Sequence, residues 1–353
     1  MSYHFLMDLA LILLSTKILG LIAQKFQMPQ VVGALLAGLL LSPAGLGLLS
    51  ETEFTAQLSE LGVIVLMFSA GMGTDIKELK NSGKAGFMVA VLGVVVPFLM
   101  GTALAWGADE LGLIETTGFL ESIFTGTILT ATSVSITVET LKEMKKLETK
   151  VGNTILAAAL IDDVLGLVAL TLVCSLAGGD ESIGMVLLKI AGFFVFAFVV
   201  GFAANRVFCW MLKRQHGWAS HRNSVFAFVL CLVMAYCAEE FFGVADITGA
   251  YAAGLAVACT PKGTYIQTKY NPLGYLLLTP VFFASIGINV QITGLTGGML
   301  AFSLLLLLIS IISKLLGCGL GAKACHFSTR ESIQVGAGMA CRGEVALIVA
   351  NRG

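Results

Sequence analysis

The sequence predicts an all-α polytopic membrane protein, and three observations predict it. Apolar residues make up 57% of the 353-residue chain and charged residues only 12%, about half the charged share of a soluble domain. The apolar residues gather into runs long enough to cross about 30 Å of hydrocarbon as helices. The segments between those runs alternate in charge along the chain.

Taken in order, the runs begin near residues 5, 30, 54, 85, 118, 151, 183, 222, 246, 272, 296 and 331, which gives twelve spans. The first, from Phe5 to Gln24, has neither a basic leader nor a small-residue cleavage site and is read as a retained helix. The second (Val31 to Leu41) and ninth (Ile247 to Cys259) are short and rich in Gly and Ala. They suit spans tucked inside the bundle, or half-crossings. Lys17 and Lys189 fall within spans, where a snorkelling side chain suffices. The eight cysteines lie almost all in apolar runs, without CxxC or Cys/His metal spacing, and read as small packing residues. No basic patch suggests nucleic acid.

The connections after spans 1, 3, 5, 7, 9 and 11 hold Lys25; Lys77, Lys80 and Lys84; Lys142, Lys145, Lys146 and Lys150; Lys213, Arg214 and Arg222; Lys262 and Lys269; and Lys323 and Arg330. The others hold Glu51, Glu53, Asp109, Glu110, Glu115, Asp180, Glu181, Glu239 and Glu240 and no Lys or Arg. Fifteen basic residues on one side against none on the other place the N-terminus outside and the basic loops in the cytoplasm.

Two segments repeat at one offset. Gly33-Ala34-Leu-Leu-Ala37-Gly38-Leu39 reappears 216 residues later as Gly249-Ala250-Tyr-Ala-Ala253-Gly254-Leu255, and Val65, Ser69, Gly71 and Ile76 meet Val281, Ser285, Gly287 and Ile292. Spans 2 and 9 run in opposite directions, so the duplication is an inverted repeat, a construction of secondary transporters. The expected division is residues 1–176 as the first repeat, 177–221 as a linking helix and 222–353 as the second repeat. The partner of span 6 would be a thirteenth span, and the sequence stops at Gly353 before one could begin. The expectation is a chain lacking its last helix.

Within this frame several polar groups lie deep in the membrane. Span 6 carries Asp162 and Asp163 inside an apolar run from Val151 to Leu176. A charge at the centre of a membrane helix costs at least about 2.5–3.5 kcal/mol, so a pair needs a use or a partner. Neighbours on a helix point about 100° apart. One carboxylate can therefore face a charged group while the other faces a water-filled cavity.

Span 5 carries Thr130-Ala131-Thr132-Ser133-Val134-Ser135-Ile136-Thr137. Two readings stand: a helix whose hydroxyls bond back to the preceding turn, or an interrupted helix whose freed carbonyls and hydroxyls can coordinate a cation. Its repeat partner, span 12, has Gly336-Ala-Gly338-Met-Ala-Cys341-Arg342-Gly343-Glu344. Arg342 and Glu344 cannot stack as an i,i+4 pair, so each would meet a broken-helix end or another segment, unless span 12 starts later and Arg342 lies at the interface. Lys314 stands nine residues before Lys323, about 13 Å deeper along a helix. From there a carboxylate such as Asp162 is the cheaper solution; another partner or a solvated cavity is the alternative.

On these residues the chain resembles bacterial sodium/proton antiporters of the monovalent cation:proton antiporter-2 family. The motifs are Thr130-Ala-Thr-Ser-Val-Ser135, Asp162-Asp163, Thr279-Pro-Val-Phe-Phe-Ala-Ser285-Ile-Gly287, Lys314 in Ser-Lys-Leu-Leu-Gly, and Arg342-Gly-Glu344. The resemblance implies thirteen helices, a six-helix core with two crossed broken helices, and a homodimer in the inner membrane. It implies Asp163 as the principal cation and proton carboxylate, and Asp162 as the partner of Lys314. Thr132 and Ser133 would lie on the broken helix beside them, with Thr130, Arg342 and Glu344 supporting the breaks. It also implies electrogenic exchange of Na+ (or Li+) for H+, without a cofactor and without enzyme chemistry.

The mechanism expected is competition: burial penalises the charged forms of carboxylate and ammonium alike, so protons and a dehydrated cation contend for one site. Potassium/proton exchange is the nearest alternative, and a cation channel a more distant one. An intramembrane aspartyl protease needs carboxyls facing each other across helices. Adjacent residues are badly placed for that, and Gly71-Met-Gly73-Thr-Asp75 only approaches the Gly-x-Gly-Asp pattern.

Overall fold

The computed structural model describes residues 3–113, 118–176, 183–214, 220–260, 263–290, 297–343 and 346. Every regular element among them is helical. The helices are α1 His4–Lys25, α2 Gln30–Leu41, α3 Glu53–Met72, α4 Ile76–Glu110, α5 Phe119–Thr130, α6 Val134–Glu143, α7 Lys150–Leu176, α8 Ile183–Arg214, α9 Ser220–Phe242, α10 Asp246–Ala258, α11 Gly263–Leu273, α12 Thr279–Ile288, α13 Gly297–Ala324 and α14 Thr329–Gly338. Nine passages among the described residues are long and apolar enough to cross a membrane, counting α5 with α6 and α11 with α12 as one each. The protein is a multi-pass membrane protein.

Differences from the expected boundaries have physical causes. α4 begins at Ile76 rather than near residue 85, because a helix does not end where hydrocarbon ends: Lys77, Lys80 and Lys84 lie on its polar first turns. α11 begins at Gly263 instead of near 272 and runs into a π-helical turn, Gly274–Leu278, directly before Thr279-Pro280. Pro280 has no N–H to give the ladder, and a shifted hydrogen-bond register absorbs the loss. Lys17 does more than snorkel: its Nζ lies 2.7 Å from the Tyr275 hydroxyl and 4.9 Å from that ring's centre.

The described chain forms two compact units, and neither coincides with a half of the sequence. The first is Met1–Asp75 with Ala191–Ile292; the second is Ile76–Ile190 with Thr293–Gly353.

The first unit is held by two glycine crossings. A Cβ on Gly71 of α3 would collide with the Tyr251 carbonyl oxygen and lie 3.0 Å from Gly254 Cα of α10. A Cβ on Gly287 of α12 would collide with the Leu35 carbonyl oxygen of α2 and lie 2.9 Å from the Gly38 carbonyl carbon. Moving each residue of the first crossing to its counterpart 216 positions away yields the second. Two polar contacts obey the same exchange. Gln267 Nε2 donates to the Ser69 carbonyl at 3.2 Å, and Ser285 Oγ donates to Glu51 Oε1 at 3.4 Å. Around the α2–α12 crossing Ile12, Leu41, Leu49, Val281, Ala284 and Ile288 form a buried apolar cluster.

Backbone contact this close leaves no room for a methyl group. Gly71→Val is expected to lower stability by about 1–3 kcal/mol through overpacking, read as a lower melting midpoint in detergent. Gly83→Ala, where nothing lies within 4 Å, should leave it unchanged or raise it, since alanine is the better helix former.

In the second unit α4 is the central helix, flanked by α13, α5 and α7. The α13 glycines Gly317 and Gly321 rest on the backbone of Leu92, Met88 and Val89 of α4, the small-xxx-small approach of membrane helices.

Candidate functional site

The site lies wholly in the second unit and starts from two interrupted helices. The first passage stops at Thr130 and resumes at Val134; Ala131 and Ser133 between them have extended backbone (ψ 138° and 105°). A run of Thr and Ser competes with the helix for its own hydrogen bonds. Here Ser133 Oγ accepts from the Ile136 N–H at 3.4 Å and so caps the second half. The last described helix, α14, stops at Gly338, and residues 340–343 are not helical. Of the residues singled out there, Glu344 lies outside the described residues.

The two interruptions satisfy each other's backbone. The Ser133 N–H donates to the Cys341 carbonyl at 3.0 Å, and Thr137 Oγ1 donates to the Gly338 carbonyl at 3.0 Å. Arg342 donates from Nη1 to the Ala131 carbonyl and from Nε to Ser310 Oγ of α13 at 2.9 Å. Backbone freed at this depth must find protein partners, since lipid offers none.

Asp162 of α7 and Lys314 of α13 form a buried pair beside these interruptions. Lys314 Nζ is 3.0 and 3.1 Å from the two carboxylate oxygens, and the side chains are 0% and 1% exposed. The α4 backbone closes over the pair because residue 93 is glycine. A Cβ there would lie 2.6 Å from Cys318 Sγ and 3.7 Å from both Asp162 Oδ1 and Lys314 Nζ. Arg342 adds a second positive charge near Asp162, and the Thr132 hydroxyl approaches that carboxylate without meeting hydrogen-bond geometry. A lone buried charge would be prohibitive, whereas a paired one with satisfied oxygens is tolerated.

Asp163, the next residue, is half-buried, and both its carboxylate oxygens are shut off from solvent. Thus Asp162, Thr132, Ser133, Lys314 and Arg342 come together around the interruptions, with Asp163 adjoining on α7. Thr130 does not join them through its hydroxyl, which turns back to the Thr127 carbonyl at 2.7 Å. Sequence reasoning missed Gly93, Cys318 and Ser310. Of these, Cys318 had a signal in the Gly317-x-x-x-Gly321 spacing around it, which announces close helix packing; Gly93 and Ser310 had none.

Comparison with known proteins gives one answer. Residues 10–353 match the family described as "Sodium/hydrogen exchanger, transmembrane". The chain is 40% identical over 353 residues to the probable Na(+)/H(+) antiporter GerT of Bacillus cereus, covering 99% of this chain and 90% of that protein. It is 37% identical to the Na(+)/H(+)-K(+) antiporter GerN of Bacillus cereus (100% and 89%) and 38% identical to an Na(+)/H(+) antiporter of Enterococcus hirae (98% and 88%). Its fold is similar to that of the sodium proton antiporter MjNhaP1 of Methanocaldococcus jannaschii, with a TM-score of 0.68 at 20% identity over 98% of this chain and 85% of that one. With a match across nearly its whole length, the chain belongs to the sodium/hydrogen exchanger family.

Proposed function

We propose that the protein is a secondary antiporter that exchanges Na+ (or Li+) for H+ electrogenically across the inner membrane by alternating access. The observation that carries this reading is the buried Asp162–Lys314 pair, with Asp163 beside it, against two helix interruptions that hydrogen-bond to each other. Such interruptions are where transporters of this construction bind ions. The relatives named as Na(+)/H(+) antiporters agree with it.

In this reading Asp163 is the cargo carboxylate. Hard monovalent cations prefer oxygen donors, and carboxylate, hydroxyl and carbonyl oxygens of Asp163, Thr132 and Ser133 supply that chemistry. Sodium requires the ionised carboxylate, and protonation releases it. Lys314 neutralises Asp162; when a cation enters, Lys314 gives up a proton, so that two protons exchange for one sodium.

The domain plan and topology belong to the same reading. The exchange of both glycine crossings under the 216-residue offset supports an inverted duplication, with the two interrupted helices crossing at the site. The basic loops lie in the cytoplasm and the N-terminus outside. A homodimer is expected, and apolar side chains of α8 such as Val195, Phe198 and Phe202, all exposed, would meet lipid or the second copy.

Potassium/proton exchange is the second reading, because the name of one relative, 37% identical, includes potassium. A pH-dequenching assay in proteoliposomes with Na+, Li+ and K+ decides. Sodium and lithium should dissipate an imposed pH gradient and potassium should not; a response to potassium alone would replace the first reading with the second.

A further inference from the structure

Between the interruption and the basic end of α6 lies an acid that the exchange scheme does not use. Glu139 is 18% exposed, and its Oε2 is shut off from solvent without a hydrogen-bond partner. Its cationic contact is Lys142 Nζ at 3.9 Å, one helical turn on, from a side chain that is itself 40% exposed. A contact of that kind contributes little. An ionisable group at membrane depth that is so weakly compensated points to a use.

The position suggests the use. Residues four apart share one helical face, and Ser135, Glu139 and Glu143 are spaced so along α6. Ser135 is fully buried, and its Oγ lies 3.1 Å from that of Ser133 in the interruption. Glu139 is six residues from Ser133, about 9 Å along the helix, and Glu143 is about 6 Å further toward Lys145 and Lys146. A polar stripe thus leads from the basic end of the helix to the interruption, with one carboxylate midway. No other acid stands on α6 between Glu139 and the interruption.

We propose that Glu139 is an access residue: its charge concentrates monovalent cations on the path from the basic face of the membrane to the exchange site and sets the apparent affinity on that face alone. The charged groups facing it on its own helix are Lys142, which weakens its field, and Glu143, which adds to it. The inference rests on cation exchange at Asp163 and names a residue that tunes it from one side. A low-dielectric cleft lined by one sign of charge raises local counter-ion concentration by about tenfold or more; for one charge an effect of about three- to tenfold is expected.

Sided transport tests it. The full chain is reconstituted, and the Na+ dependence of proton movement is measured from each face for wild type, Glu139→Gln, Glu139→Asp and Lys142→Gln. Glu139→Gln should raise the apparent KM for Na+ about three- to tenfold from the face carrying Lys145 and Lys146. The opposite face and the maximal rate should stay within about twofold, and Glu139→Asp should restore the wild-type value. Lys142→Gln should lower KM on the same face, and this variant decides if Glu139→Gln does not survive reconstitution. An unchanged KM on both faces, or an equal loss on both, overturns the proposal. If wild type itself moves no protons in response to any cation, the exchange reading falls, and this inference falls with it.

Discussion

Replacing Asp163 with asparagine should abolish sodium-driven proton movement, leaving proteoliposomes at the rate of protein-free vesicles. The amide keeps the side chain's volume but can neither ionise for a cation nor carry a proton between faces. Because sodium needs the ionised form, the wild-type apparent affinity for sodium should fall as both faces are acidified, and the variant has no such dependence to lose. Asp162→Asn should behave differently, with weaker binding or a changed coupling, seen as a transport current altered in size or sign. Wild-type exchange in Asp163→Asn would remove the cargo role from that residue.

Lys314→Ala should be the most destabilising single change in the second unit. It strands Asp162 in a site where the carboxylate is almost fully enclosed, and breaking a buried pair from one side costs about 3–5 kcal/mol. Arg342 is near enough to offset part of that cost. Removing both charges with Asp162→Asn and Lys314→Met should recover much of the stability, because apolar or neutral replacement of a whole buried pair is often neutral. Melting in detergent of the two single variants and the double variant forms a cycle. Strict additivity would mean that the two side chains do not depend on each other.

Much of this arrangement was legible in the sequence for identifiable reasons. Charges inside apolar runs are rare enough to be noticed, and counting nine residues from Lys323 places Lys314 at the depth of Asp162 without any coordinates. The hydroxyl-rich stretch from Thr130 to Thr137 left a back-bonded helix and an interrupted one both open, and the structure breaks it at residues 131–133. The 216-residue repeat marked Gly38, Gly71, Gly254 and Gly287, and these are the residues at the two crossings of the first unit.

The rest depended on three-dimensional neighbours that spacing does not encode. Gly93 matters because α13 presents Cys318 and Lys314 to that turn of α4, and nothing local distinguishes it from other helical glycines. Ser310 is one of many serines in apolar helices until Arg342 reaches it. Thr130 and Thr132 look alike in sequence, yet the first still has a helical carbonyl behind it to bond. Thr132 stands within the break and is left facing Asp162. Helix starts at Ile76 and Gly263 were hidden because hydropathy marks where lipid begins, whereas a helix is bounded by its caps and by proline.

In the proposed exchange, sodium and protons displace one another at Asp163. The most direct measurement is proton release from purified, detergent-solubilised protein in weak buffer when sodium is added. Wild type should release protons saturably, and Asp163→Asn, still folded by its melting curve, should release none. Equal release from both proteins would contradict it.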